Sequence, residues 1–148
     1  MGDNEYAIST IIDKFPVIKM PKDMNESEKL KLIEAWVALQ KSLDDSAEHE
    51  DKLWASEEFW ELSENKPMIC WELILQIINT EDNARVIGNL AAGPLEDLLS
   101  THGNEFIAMV EKEAALNEKF RSLLGGVWQN EISDEVWNRI QSISGPKW

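Results

Sequence analysis

The stretch from Pro67 to Ile78 constrains the fold of this chain more than any other. Only Glu72 and Gln76 interrupt an apolar series that includes Met68, Ile69, Cys70, Trp71, Leu73, Ile74, Leu75 and Ile77. A segment that is apolar on every side has to be covered on every side, so other elements must surround it. It is too short for a membrane span, which takes ~20 apolar residues. Its pattern alone fits a buried strand or a buried helix. Helix is the reading adopted here, because the flanking segments are helical and the chain offers no second strand to pair with it. Pro67 suits a first helical position, where its missing N–H costs nothing.

The flanking segments read as helix after helix. Asn25 is a good N-cap with Glu26 and Glu28 behind it, and Leu32, Trp36, Leu39 and Leu43 recur at helical spacing. A second helix is expected over Asp51–Glu64, with Leu53, Ala55, Phe59, Trp60 and Leu62 inward. Thr80 reads as the cap of the next helix, whose inner face is Ala84, Ile87 and Leu90. Gly93 and Pro94 read as a stop and a new start, and His102 with Gly103 as another stop. Phe106, Ile107, Val110 and Ala114 define the following helix, then come Phe120, Leu123 and Leu124. Ser133 caps a last helix with Val136, Ile140 and Ile143 inward. Ahead of these, residues 1–24 are weakly patterned: a short helix over Tyr6–Lys14 fits, then an extended segment bracketed by Pro16 and Pro21. Short connections make sequential helices antiparallel neighbours. The expectation is an all-α single domain over residues 1–148, with its helical core over 25–148. It is built from short antiparallel helix pairs, globular or weakly solenoid.

Charge narrows the function. The chain carries 28 acids and 14 bases, a net charge of −14. Direct binding to nucleic-acid phosphates or to anionic lipid is thereby disfavoured. The single cysteine permits no internal disulfide, and residues 1–5 lack the basic flank and apolar run of a signal peptide. The expected setting is cytoplasmic.

The acidity is concentrated. Asp44, Asp45, Glu48, Glu50, Asp51, Glu57, Glu58, Glu61 and Glu64 face one base, Lys52, within 21 residues. Trp54, Phe59 and Trp60 interleave with them, in a chain holding seven tryptophans. Two arrangements fit: tryptophans in the core with acids in water, or an interface for a basic partner. Trp54 discriminates, because on a helix it falls beside Glu57, Glu58 and Glu61. An exposed tryptophan among carboxylates suits a cationic partner.

Sites for chemistry are sparse. Cys70 lies in the most apolar segment without basic neighbours, which disfavours its thiolate. Gly88 and Gly93 bound no phosphate loop, and packing at a helix corner accounts better for small residues there. Asp45 and His49 would share a helix face, a two-point metal contact at most, and a solvated acidic helix end explains them as well. Glu96, Asp97 and His102 form the remaining candidate site, for a hydrolytic or metal-dependent reaction. Structural explanations compete there too: acids favour a first helical turn, and a histidine favours a helix end.

The run Ala91 to Leu99, reading Ala-Ala-Gly-Pro-Leu-Glu-Asp-Leu-Leu, followed by His102 and Gly103, resembles the signature of an uncharacterised bacterial all-helical domain family. The resemblance covers about Trp71 to Ile143. It implies an all-helical fold and a bacterial origin, and no reaction. Glu96, Asp97 and His102 match the signature; the acidic segment lies outside it.

The functional expectation is a non-enzymatic binding module with no cofactor and no metal. Its most concrete form is an immunity- or antitoxin-like inhibitor that blocks a basic toxin such as a nuclease. The alternatives are a small enzyme using Glu96, Asp97 and His102, and a scaffold or adaptor. The oligomeric state stays open.

Overall fold

In a computed structural model, which describes residues 24–44 and 46–148, α1 (Glu26–Lys41) opens the core. Asn25 caps it as expected: its side chain accepts from the Glu28 N–H at 2.8 Å, and the Glu28 carboxylate accepts from the Asn25 N–H at 3.0 Å. Leu32, Trp36 and Leu39 are buried, but Leu43 lies past the helix end in water. The short helix and extended segment expected before Met24 lie outside the described residues.

The second helix, α2 (Ala47–Asn65), begins one turn earlier than the apolar spacing predicts, because Ser46 caps it by accepting from the His49 N–H. Only Ala55, Phe59, Leu62 and Ser63 are buried along its 19 residues. Leu53 and Trp60, expected inward, are exposed. Phe59 holds the inner face against Trp36, ring edge to ring face, with centroids 5.4 Å apart.

The apolar run is helical: α3 spans Pro67–Thr80, with Pro67 in its first turn. Cys70, Trp71, Leu73, Ile74, Ile77 and Ile78 are buried. Trp71 packs on Phe106 and Phe120, with centroids 6.0 and 5.3 Å away. Thr80 ends this helix instead of capping the next. Its hydroxyl donates to the Gln76 carbonyl at 2.7 Å, and the following cap is Asn83.

The two breaks expected in the middle of the chain are bends. From α4 (Ala84–Leu90) the chain runs through a π-helical turn (Ala91–Leu95) straight into α5 (Glu96–Leu116). Pro94 lies inside that turn. A proline there cannot donate and its ring crowds the carbonyl four residues back, so the helix widens instead of stopping. The fully buried residues of α4 are Val86 and Leu90; Ile87 packs partly buried against the same core, and Ala84, expected inward, is exposed. At His102 (φ −126°, ψ 26°) α5 kinks and continues. Gly103 sits just past the kink, where a Cβ would come 3.2 Å from a Val136 methyl; its missing side chain brings α7 (Asp134–Ile143) close. No such pressure exists at Gly88 or Gly93, where an added Cβ would meet nothing within 4 Å. Packing therefore does not explain those two glycines, contrary to expectation.

Between α5 and α7 lies α6 (Glu118–Leu124), capped by Asn117, whose side chain accepts from the Phe120 N–H at 3.2 Å. Ser133 caps α7 as expected. The chain then folds back on α6: the Gly145 N–H donates to the Arg121 carbonyl and the Trp148 N–H to the Gly125 carbonyl. Gly125 is needed there, since any Cβ would strike the Pro146 carbonyl. α1 packs against α2, α2 against α3 and α5 against α6, while contacts of α1 with α4, α2 with α5, α3 with α6 and α5 with α7 close the array. One continuous hydrophobic cluster with α3 at its centre joins all of them. The result is a single all-α domain, globular and not an open solenoid. Among the described residues no helix is long and apolar enough to cross a membrane.

Candidate functional site

The outer face of α2 carries the features that set this surface apart. Positions 54, 57, 58, 61 and 65 recur at three- and four-residue spacing, so they share one side of the helix. Trp54, Glu57, Glu58, Glu61, Leu62 and Asn65, together with Met24 and Lys66, line a groove of about 760 Å³. A second cleft of about 500 Å³, lined by Ser56, Glu57, Trp60 and Glu61, adjoins it. Glu57 and Glu61 thus form a ridge, with one tryptophan on each side. Trp54 is 40% exposed and Trp60 52%, while Phe59 between them is 1% exposed. The core has taken the phenylalanine and left both tryptophans in water. Glu57, Glu58 and Glu61 have no ion-pair partner among the described residues.

The rest of the acidic segment divides. Glu48, Glu50 and Asp51 are exposed at the start of α2, where the helix dipole favours acids. Asp44 is engaged by the Arg85 guanidinium at 3.2 Å. Asp45 lies outside the described residues. Glu64 faces inward toward α5: its carboxylate accepts from the Thr101 hydroxyl at 2.6 Å. Of the predicted interface residues, Trp54, Glu57, Glu58, Trp60 and Glu61 come together on the two clefts, and Asp44 and Glu64 serve the fold.

His49 also serves the fold. The Ser42 hydroxyl donates its one hydrogen to the Leu39 carbonyl at 2.7 Å, so it can only accept from His49 Nδ1–H at 2.9 Å. That places the proton on Nδ1 and ties α2 back to the end of α1.

Glu96, Asp97 and His102 lie along the first half of α5 with separate tasks. Glu96 Oε1 accepts from the Trp128 N–H at 3.1 Å, and Oε2 from the Asn130 side chain at 2.6 Å. Asn130 has φ 39°, a left-handed conformation that asparagine tolerates. Glu96 therefore pins the loop between α6 and α7. His102 Nε2–H donates to the Glu64 carbonyl at 2.9 Å, one of the orphan acceptors at the end of α2, and Nδ1 meets the Glu105 carboxylate at 3.2 Å. The histidine caps a helix as its type suggests, but a different helix from its own. Burial depresses its pKa, and these hydrogen bonds to the Glu64 carbonyl and Glu105 outweigh burial to raise it overall.

Asp97 is half-buried, and burial first, then the Glu96 and Glu64 charges, push its carboxyl up to about 6. Cys70 is fully buried nearby, its thiol pushed far up by burial and by Asp97, which makes it inert as a nucleophile. Glu96 and Asp97 do not join His102 in its cleft, which measures about 140 Å³ and includes Glu105, Glu131 and Ser133. Among the described residues no three His, Cys, Asp or Glu side chains are grouped to hold a metal ion.

Sequence reasoning missed a cationic contact at the end of the chain. Lys147 Nζ sits over Trp128 and Trp137, 5.1 and 5.0 Å from their ring centroids. The only signal for it was the tryptophan content, since the three residues lie on separate segments.

No curated protein and no solved structure matches this chain. Residues 42–147 match the model of a family described as "Family of unknown function (DUF6869)". The match takes in α2 as well as the run Ala91 to Leu99, so the acidic helix falls within the family region. Because it spans well over half the sequence, the chain belongs to the family of unknown function DUF6869.

Proposed function

We propose that this protein is a non-enzymatic binding module that engages a basic protein partner through the outer face of α2. The observation that carries the reading is the exposure of Trp54 and Trp60 on either side of the Glu57–Glu61 ridge. Tryptophan is the residue most often found at the energetic centre of an interface, and it binds cations on its ring face. The surrounding carboxylates would steer a basic surface into contact and speed association at low salt.

In its most specific form the partner is a basic toxin such as a nuclease. Nuclease surfaces must hold phosphates and are basic for that reason, so an acidic protein can cover the same surface. A reaction at Glu96, Asp97 and His102 is the weaker reading. Both oxygens of Glu96 are already committed to the loop after α6, and the His102 ring nitrogens to the Glu64 carbonyl at the end of α2 and to Glu105 on its own helix.

The test is affinity capture from host lysate at low and high salt. It compares the wild-type chain with a variant carrying Trp54→Ala, Glu57→Lys and Glu61→Lys. The expected result is a basic protein retained by the wild type at low salt, weakened at high salt and lost with the variant. Identical proteins retained by both chains at both salts would refute the role of α2. If the captured partner is a nuclease, added wild-type chain should suppress its cleavage and the variant should not.

A further inference from the structure

We propose that Trp128 and Trp137 form a binding site for a quaternary ammonium group, and that Lys147 of the same chain occupies it until such a ligand displaces the lysine. The site is built by α6, α7 and the residues that follow them, and it does not depend on the reading of α2. Lys147 Nζ stands over both indole rings, within the roughly 6 Å at which a ring face attracts a cation. The cation-binding geometry is therefore already formed, and a side chain of the protein shows the kind of group it holds.

The fold holds this pair in place. Trp137 belongs to α7 and packs, partly buried, against the hydrophobic core. Trp128 is exposed, yet the backbone that carries it is fixed: the Glu96 carboxylate accepts from its N–H and from the Asn130 side chain two residues on. The backbone on either side of Lys147 is fixed as well. The Gly145 N–H donates to the Arg121 carbonyl and the Trp148 N–H to the Gly125 carbonyl, and the Trp148 ring lies where a Cβ on Gly126 would be. Lys147 itself is exposed. Its side chain can thus leave the rings by changing rotamer, while residues 145–148 stay where they are.

The chemistry of the surroundings selects the ligand. A cleft of about 250 Å³ lies against Lys147, with Trp137, Gln141 and Ser144 among its lining residues and no acid among them. Lys147 has no ion-pair partner among the described residues. A cation here is held by ring faces and by no carboxylate. A primary ammonium is strongly hydrated and gives up that water to lie on the rings. A quaternary ammonium is weakly hydrated, has no N–H to satisfy, and packs its methyl groups directly on indole. The net charge of −14 raises the local concentration of any cation. Lys147 opposes entry as a tethered competitor, so the apparent affinity is the intrinsic one reduced by the fraction of sites it leaves open.

The experiment follows the indole N–H signals of the seven tryptophans by NMR in the ¹⁵N-labelled full chain, with Trp128→Phe and Trp137→Phe assigning the two that matter. The probes are choline, ethanolamine as the primary ammonium, and dimethylbutanol as the neutral isostere of choline, all at constant ionic strength. Choline should shift the Trp128 and Trp137 signals saturably, with an affinity on the order of millimolar. Lys147→Ala should bind it about fivefold tighter. Ethanolamine and dimethylbutanol should bind about tenfold more weakly than choline. Trp128→Ala added to Lys147→Ala should abolish the binding, while unmoved signals of the buried Trp36 and Trp71 show that each variant is folded. No saturable shift at Trp128 and Trp137 in either the wild type or Lys147→Ala overturns the proposal. Equal affinity of those two chains overturns the occupancy by Lys147. Dimethylbutanol binding as tightly as choline makes the site a plain apolar cleft, and ethanolamine doing so removes the quaternary preference; either overturns the ligand class. Shifts confined to Trp54 and Trp60 overturn the site and assign the cation to α2.

Discussion

Replacing Asp97 by asparagine should stabilise this protein at neutral pH, and the gain should vanish in mild acid. Asp97 lies in the first turn of α5, faced by Glu96 from its own helix, Glu64 from α2 and the Cys70 thiol from α3. Burial and the two neighbouring carboxylates hold its folded pKa at about 6, against an unperturbed 3.8. The folded state therefore binds the proton more tightly than the unfolded state between about pH 4 and 6. Stability from this residue is fully present below pH 4 and is lost as pH rises through 6. Two units of difference correspond to about 2.7 kcal/mol, and partial solvent screening of a half-exposed group reduces this to ~1–2 kcal/mol. Asparagine keeps the shape and removes the charge. Urea unfolding followed by tryptophan fluorescence at pH 4, 5, 6 and 7 should give matching stabilities for the two proteins at pH 4. At pH 7 Asp97→Asn should be ahead by that amount. His102 acts with the same sign: its raised pKa contributes stability that is present below about 6.5 and lost above its folded value, so the variant keeps a shallow slope near neutrality. Glu111, lowered by Arg139, acts the other way and loses its contribution in stronger acid. A constant difference at every pH, or a variant weaker at pH 7, would refute the assignment of a buried, disfavoured charge to Asp97.

Two further perturbations probe the local architecture. Glu96→Ala strips the Trp128 N–H and the Asn130 side chain of their acceptor, which should cost ~1–2 kcal/mol and open residues 127–132 to proteolysis; an unchanged melting temperature and digestion pattern would contradict the pinning role. Gly88→Ala should stabilise by ~0.5–1 kcal/mol, because the helix gains propensity and the new methyl meets open space. Gly103→Val should instead destabilise by ~1–3 kcal/mol through collision with Val136, and equal effects at the two glycines in denaturant melts would refute the packing contrast.

Some local chemistry was legible because the partner of the residue lay within a turn, although Thr80, expected to cap the next helix, bonds the Gln76 carbonyl instead and Asn83 takes the cap. Asn25, Pro67 and Ser133 start their helices as their types dictate, since a cap or a first-turn proline depends on neighbours three residues away. The all-helical class and the central burial of α3 followed from periodicity and from an apolar run too uniform to face water anywhere. Trp54 fell on the acidic side of α2 because helical spacing alone places it next to Glu57, Glu58 and Glu61.

Other outcomes depended on contacts between segments remote in sequence. Trp60 was expected inward with Phe59, yet only Phe59 is buried, packed on Trp36, and Trp60 is exposed. Gly93–Pro94 and His102–Gly103 carry the signals of helix ends. The tertiary structure instead absorbed them as a π-turn between α4 and α5 and a kink within α5, with buried core residues on both sides of each. The sequence by itself determined that the chain is helical, acidic and built around α3, because periodicity, charge and capping are local properties. Only the tertiary structure decided that Glu96 and His102 hold other segments in place, and that Trp54, Trp60 and three carboxylates meet on two open clefts. Which of several competent side chains the core accepts is settled by volume and partners that sequence spacing does not encode.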